Sequence, residues 1–470
     1  MTDSNVITRL FRRRFSITAG LQRLAVKCLQ LMVVLASLQS ELVIGSELSR
    51  YVSAALEFDP TLKSSGAQRD ATMEQRAQGR SQLLPQLSFQ QSTAHNITEQ
   101  SPIPANGLNS RNFDYPSNSK SLIVRQALFR PRQTFNAMQG NVKAQLGEAQ
   151  FQITLQKTIG KAVSAYAGYL VQSENQMASA EEQVAAEIRL RQTEMLRQAG
   201  EVSDVELMSA RSNLVLARAR LREATANLVA ARRDLAAMVG TTPLPQAPEI
   251  DWRAAAERLL SLVRSDILLK TELDLDYNPE VLAQQLAVEV AGFEVKKAAS
   301  DHSPTIDLVA SVSEGTSAQD IAVNLFTRTR SVGVQLNVPL FSGGMTQSSV
   351  RENVAMRDKA TYDLEATRLR IENDRSRTLD EIGYRLDLLE AGLADLKSAA
   401  VNWQQAEQGL RGGTHNDADT ADRRAKLQRS RAGLARYATD AIVSYVQHLV
   451  SLGVADVEMV GPISAALAAK

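Results

Sequence analysis

The chain of 470 residues has one cysteine, Cys28, so no internal disulfide can form and thiol chemistry has little to work with. Aromatic residues are only 5%, too few for a broad sheet core but in keeping with long packed helices. Neither charge sign dominates: 53 Lys and Arg face 52 Asp and Glu, a net charge of +1. Phosphate binding needs a basic footprint, so nucleic acid is not expected as a partner. Nowhere do 18 apolar residues run together, which excludes a helix crossing a bilayer. The four histidines, His95, His302, His415 and His448, are scattered without HExxH or other ligand spacing. No GxSxG motif or glycine-rich phosphate loop occurs either, so no enzyme, metal or cofactor is expected. The length suits two or three globular domains or one large elongated one.

The N-terminal stretch carries Arg9, Arg12, Arg13, Arg14, Arg23 and Lys27 ahead of a short apolar run, Leu29 to Leu38. Basic residues before about ten apolar ones describe a signal peptide over residues 1–45, with a surface amphipathic helix as the alternative. Lys27 directly before Cys28, and an apolar run after rather than before it, argue against lipid attachment there.

Proline is absent from Arg132 to Val239, and the run is broken only at Ala199-Gly200-Glu201. Leu207, Leu214, Leu221, Leu228 and Leu235 recur every seven residues, shadowed by Ala210, Ala217, Ala224 and Ala231 three positions later. That 3-4 spacing is a coiled-coil seam, and its alanines allow close helix approach. Val163, Leu170, Met177 and Val184 repeat at the same interval, predicting two helices folded back at Gly200. The first, about Pro131 to Gln198, would be roughly 100 Å long.

Around this hairpin the chain reads in order: helices over Glu47 to Phe58 and Thr61 to Ser81, then strands at about 85–97 and 119–129. A polar loop with Pro102, Pro104, Gly107, Asn109 and Pro116 separates the strands. The hairpin over about 131–239 follows. A connector over about 240–277, with Pro243, Pro245 and Pro248, holds a short helix near Trp252 to Arg264. The series then restarts. Asn278-Pro279 answers Asp59-Pro60 at an offset of 219, and Ser303-Pro304 answers Leu84-Pro85 at the same offset. Leu340-Phe341 answers Leu128-Phe129 at 212, and Gly413 answers Gly200 at 213. Leu427 and Leu434 sit 213 beyond Leu214 and Leu221. Duplication is the simplest account. The halves are 46–277 and 278–470, each reading helix, helix, strand, loop, strand, long helix, turn, helix. The second has strands at about 304–313 and 331–341, a hairpin over about 343–453 and a C-terminal tail. Ile382, Leu386, Leu389, Leu393, Leu396, Ala400 and Trp403 repeat the seam.

Val332, Val334, Leu336 and Val338 alternate with Gly333, Gln335 and Asn337, as Ile306, Leu308, Ala310 and Val312 alternate with Asp307, Val309, Ser311 and Ser313. Period-two patterning over about ten residues fits a membrane-spanning strand or a small soluble sheet on helices. In lipid, four strands cannot close a barrel and an open edge is forbidden, so a membrane sheet requires several copies sharing one barrel.

Leu84-Pro85-Gln86-Leu87, Ser303-Pro304-Thr305-Ile306-Asp307-Leu308 and above all Val334 to Gly344, with Pro339-Leu340-Phe341-Ser342-Gly343-Gly344, resemble the TolC-like outer-membrane channel-tunnel family. So does the turn Ala199 to Val205, and the resemblance covers nearly all of the chain after the leader. It implies a mainly α fold with β: long antiparallel coiled-coil hairpins forming an α-barrel tunnel, and four membrane strands per chain in a trimeric 12-stranded β-barrel. It further implies a homotrimer in outer-membrane lipid, with a periplasmic adaptor (membrane fusion) protein and an inner-membrane ABC transporter as partners. The Pro339, Gly343 and Gly344 turn would lead from strand to tunnel helix, and Gly200 and Gly413 would mark the tunnel entrance. Matching through Gly413 places the family's constriction aspartates at Asp419 and Asp422, with Asp417 and His415 in the same turn. Read without the resemblance, the same aspartates are ordinary residues of a helix N-terminus.

Three functions follow from these features. One is a type I secretion channel passing a protein, such as a haemolysin-like toxin or a protease. The second is the outer-membrane component of a drug-efflux pump. The third is a coiled-coil scaffold, which leaves the strands and their framing prolines unexplained. Many drug-efflux members of the family carry a lipidated N-terminal cysteine, so Cys28 in an unsuitable setting favours secretion.

Overall fold

The computed structural model describes residues 47–100, 111–241, 247–270, 274–317 and 325–468. The expected signal peptide with Cys28, the loop residues Pro102, Pro104, Gly107 and Asn109, and Pro243 and Pro245 lie outside the described residues. The elements are α1 (Glu47–Phe58), α2 (Pro60–Ser81), β1 (Gln86–Gln100), β2 (Arg111–Phe129), α3 (Pro131–Gln198), α4 (Asp204–Val239) and α5 (Trp252–Lys270). There follow α6 (Pro279–Ala299), β3 (Thr305–Ser317), β4 (Leu325–Asn337), α7 (Met345–Arg411), α8 (Asp417–Leu452) and α9 (Val457–Leu467). None of the described helices is long and apolar enough to cross a membrane. The chain divides into a unit of Met1–Asp59, Gln156–Glu272 and Ser376–Lys470, and a unit of Pro60–Leu155 and Leu273–Arg375.

The second unit holds the strands, in one antiparallel sheet of order β1-β2-β3-β4. β2 and β3 are neighbours although α3 to α6 intervene in sequence. The registers bring Leu87, Val124, Ala310 and Val332 into one row, and Phe89, Leu122 and Val312 into the next. Leu308 with Val334 and Ile306 with Leu336 extend the same face. It is left open: Leu87 is 67%, Val332 77% and Leu336 62% exposed. The other face carries rows such as Gln90, Ser121, Ser313 and Thr329. The outward sides of β1 and β4 have no strand partner among the described residues.

All four strand expectations need correction. β2 begins at Arg111, not near 119, so Pro116 lies in a strand opposite His95. The ladder to β1, which runs on through His95 and Pro116 to Gln100 and Arg111, is what carries β2 back past the proline; pairing to β3 is described from Ser117 onward. β4 covers Leu325–Asn337 rather than 331–341. Pro339 ends it, while the ladder to β3 carries it outward to Leu325. β1 and β3 run to Gln100 and Ser317, a few residues beyond the alternating patterns that predicted them. In the same unit, Val142 and Ala149 of α3 form a core with Ala283 and Leu286 of α6, flanked by Leu146, Ile153, Val290 and Phe293. Between Asn278 and β3 there is one α-helix, α6, where two were expected; 3-10 turns at Leu275–Tyr277 and Ser300–His302 flank it. α5 extends to Lys270, past the expected Arg264.

In the first unit the seam of α4 is buried as its spacing requires, at Ala210, Leu214, Ala217, Ala224 and Leu235. In α3 the seven-residue reading drifts. Val163 and Leu170 are buried, but Met177 and Val184 are 39% and 47% exposed, and Ala178 and Ala185 take their places. From Val163 to Ala185 is two 11-residue repeats, 3.67 residues per turn, closer to a straight helix than to a left-handed supercoil.

Ion pairs fix the neighbours of α3. Arg218 and Arg211 of α4 reach Glu187 (3.1 Å) and Glu194 (3.5 Å), while Arg424 and Arg429 of α8 reach Glu181 (2.9 Å) and Glu182 (3.0 Å). α7 joins α8 through Arg385 and Asp440 (2.9 Å) and through buried Thr378 and His448 (3.0 Å). The helices thus run α4, α3, α8, α7. Buried Glu174 of α3 staples three elements: it accepts from the Trp252 indole N–H of α5 (2.7 Å) and pairs with Arg431 of α8 (3.1 Å). α5 packs on α8, and α9 on α1 and α5.

Candidate functional site

Both helical hairpins turn within the first unit, and their turns are built alike. Each first helix ends in a left-handed glycine, Gly200 with φ 81° and Gly413 with φ 72°. Nothing lies within 4 Å of where a Cβ would sit at either, so backbone conformation rather than space requires glycine. The N–H groups of Glu201 and Thr414 donate back to the carbonyls of Leu196 (2.9 Å) and Gly409 (2.8 Å). Different chemistry starts the second helices. Ser203 and Glu206 form a reciprocal capping box for α4, and Arg197 grips Asp204 with two bonds of 2.6 and 3.1 Å. In α8 the cap is Asn416, whose side chain accepts from the Asp419 N–H at 2.7 Å.

The four candidate residues of the second turn do not converge. Asp419 and Asp422 face α3, where the Arg189 guanidinium hydrogen-bonds Asp422 and lies 3.6 Å from Asp419. These side chains are 43–47% exposed, a pair of carboxylates sharing one cation at the surface. Asp417 points elsewhere, into a groove of about 960 Å³ between α3, α7 and α8. Val184, Ile188, Met195, Trp403, Leu410 and Ala421 make the apolar part of that groove. His415 folds back over Gly409, where an added Cβ would meet its Nδ1 at 2.6 Å. Arg189 and Gly409 were not singled out from sequence. Gly409 had a signal, a glycine four residues before a turn glycine. Arg189 had none, since its partner lies 233 residues on.

Acid–base chemistry around α3 is that of helix fastening. Hydrogen bonds from Gln183 and then Arg218 hold the Glu187 carboxyl below its ordinary range. Burial pushes the Tyr445 hydroxyl of α8 up, and its bond to Asp266 of α5 pushes further. Among the described residues no group of three His, Cys, Asp or Glu side chains could hold a metal.

At the strand-to-helix turn, Gly343 and Gly344 both have positive φ, 64° and 83°, again with open space where a Cβ would sit. Ser342 Oγ and Thr346 Oγ1 lie 2.9 Å apart across the start of α7. Pro339 sits in the link between β4 and these glycines. At the same end of the sheet, Arg130 between β2 and α3 clasps buried Asp307 of β3 by donating from its Nε and Nη2 to the two carboxylate oxygens.

The sequence matches the Outer membrane efflux protein family over residues 51–241 and 272–453. Alkaline protease secretion protein AprF of Pseudomonas aeruginosa is 31% identical over 315 residues, 66% of this chain and 64% of that protein, so the match spans less than two thirds of this relative. Outer membrane protein TolC of Vibrio cholerae is 27% identical over 434 residues, 91% of this chain and 95% of that one. The crystal structure of the Campylobacter jejuni CmeC outer membrane channel shares the fold, with a TM-score of 0.70, 16% identity and 90% of each chain covered.

Proposed function

The chain belongs to the outer membrane efflux protein family, and on that premise we propose that three copies form the outer-membrane channel-tunnel of a type I secretion system. The observation that carries the trimer is the sheet: four strands, two unpaired edges and one open apolar face. Lipid tolerates the face but not the edges, so β4 of one copy pairs with β1 of the next until twelve strands close. The direction fits, since β1 and β4 of successive copies would be antiparallel. In the helices, α4 and α7 are the outer members of the order above, each with exposed apolar residues (Val215 and Leu216; Leu388 and Val401) for a neighbouring copy.

Internal duplication accounts for the repeat of boundaries: α2 and α6 start 219 residues apart (60 and 279), and α4 and α8 end 213 apart (239 and 452). At the entrance formed by the two turns, three Arg189–Asp419–Asp422 clusters form the gate, and the groove holding Asp417 takes the adaptor protein. The cargo is a secreted protein delivered by an inner-membrane ABC transporter. Similarity to a protein named for alkaline protease secretion makes a protease a better candidate than the haemolysin-like toxin. The family's description as efflux proteins supports the second reading, a drug-efflux channel. Deleting the gene and assaying secreted proteins beside drug sensitivity separates them. Lost secretion with unchanged drug tolerance is expected; drug hypersensitivity with normal secretion overturns the assignment.

A further inference from the structure

On the open face of the sheet the continuous apolar rows give way to mixed rows toward the strand ends away from the helices, where Phe326 and Ile97 stand singly. Arg330 of β4 closes the row of Phe89, Leu122 and Val312. The next row outward is Gln91, Lys120, Glu314 and Arg328. Arg328 pairs with Glu314 at 2.6 Å, whereas Lys120 and Arg330 are exposed and make no ion pair with any described residue. Three cations against one acid leave an excess of two positive charges in these two rows; farther out on the same face Asp114 pairs with His95 at 2.6 Å and Glu99 follows. At the other border, where the strands meet α3 and α7, Leu84, Phe129, Leu340 and Phe341 are 60%, 47%, 92% and 87% exposed, and the exposed Arg132 and Asp301 neutralise each other as an ion pair. The two rims of the apolar band therefore differ in chemistry, one cationic and one apolar-aromatic.

We propose that Lys120 and Arg330 form a binding site for the phosphates of lipid A in the outer leaflet. The inference rests on the barrel proposed above, which turns this face to lipid and its helix-free end to the exterior. Lipid A presents phosphates at the top of its acyl layer. A cation bordering an apolar band is placed to meet them with its aliphatic stem in the acyl region and its charge at the headgroup. Each such cation contributes about fivefold in affinity for an anionic surface, so the pair supplies about thirtyfold. Closure of the barrel repeats the site three times, once within each copy, with Arg330 of β4 beside the seam to the next β1.

The test uses the purified full chain in phosphatidylcholine micelles with radiolabelled lipid A as probe, and measures lipid retained after gel filtration. Retention should exceed that of dephosphorylated lipid A and of phosphatidylglycerol, and should fall as salt is added. Lys120→Gln with Arg330→Gln should weaken it about thirtyfold while the heat-modifiable oligomer persists, and Lys120→Arg with Arg330→Lys should keep it. Equal retention by the glutamine pair, equal binding of phosphatidylglycerol, displacement by inorganic phosphate, or salt-insensitive retention by the unsubstituted protein would each overturn the site. If the unsubstituted chain forms no heat-modifiable oligomer, the barrel itself is wrong, and the inference goes with it.

Discussion

Replacing Arg189 with glutamine tests whether the acidic cluster beside Gly413 sets ion passage or merely caps a helix. The guanidinium bonds Asp422 and sits 3.6 Å from Asp419, with all three side chains 43–47% exposed. Exposed pairs contribute about 0.2–1 kcal/mol each, so Arg189→Gln should cost no more than about 1–2 kcal/mol in stability and leave folding intact. The electrostatic change is larger. Losing one cation per chain leaves both carboxylates uncompensated, and in a trimer six negative charges would then face a narrow entrance without their three arginines. At the 3.6 Å separation from Asp419, and closer still at Asp422, each removed attraction lies between about 1 kcal/mol in bulk water and about 4 kcal/mol at an effective dielectric near 20, before screening by salt. Planar-bilayer recording should therefore show a higher cation-to-anion permeability ratio and stronger block by multivalent cations. Asp419→Ala with Asp422→Ala should shift both the opposite way, and Arg189→Gln with Asp422→Asn should fall between, since contacting residues are not additive. If neither substitution moves selectivity or conductance, Asp419 and Asp422 are cap residues and the gate lies elsewhere.

Two further outcomes follow from the helical unit. Arg431→Met leaves Glu174, whose side chain is only 6% exposed, with the Trp252 N–H alone. Because Arg431 is itself one third exposed, the loss should sit at the low end for a broken buried pair, about 3 kcal/mol, read from denaturant unfolding; a change below about 1 kcal/mol would refute the staple. The second concerns acid. Glu187 has a carboxyl held below its unfolded value by Gln183 and Arg218, so its contribution is present above the unfolded value near pH 4.3 and is lost as pH falls through the folded value. Unfolding measured from pH 6 downward should steepen in that window, and Glu187→Gln should flatten the acid limb; an identical acid limb in the variant would remove α3–α4 pairing from the account.

Much of this protein was legible before any coordinate, because its elements are long, periodic and punctuated by residues with one conformational use. The expected helix of Glu47–Phe58 and the expected hairpin helices from Pro131 to Gln198 and on to Val239 are present with those limits, since proline at an N-terminus and left-handed glycine at a turn act locally. Repetition at offsets of 219 and 213 could be read from spacing alone. Family membership agreed with the resemblance carried by Leu84-Pro85-Gln86-Leu87 and the Pro339 to Gly344 segment.

What the sequence could not decide depends on partners far along the chain. That Pro116 lies within a strand follows from its pairing with His95 of β1, not from its own sequence neighbours. That Ala178 and Ala185 replace Met177 and Val184 in the seam follows from how straight α3 runs against its neighbours, which a seven-residue count assumes in advance. The aspartates were visible, but Arg189 between them was not, and neither was the divergence of Asp417 and His415 from that pair. Likewise Lys120 and Arg330 are ordinary residues in their own strands and form a cationic rim only once the register of four strands sets them beside the same apolar rows. Periodicity and turn chemistry are local and so survive in sequence; charge pairing and row composition are set by register across hundreds of residues, and only the folded chain supplies it.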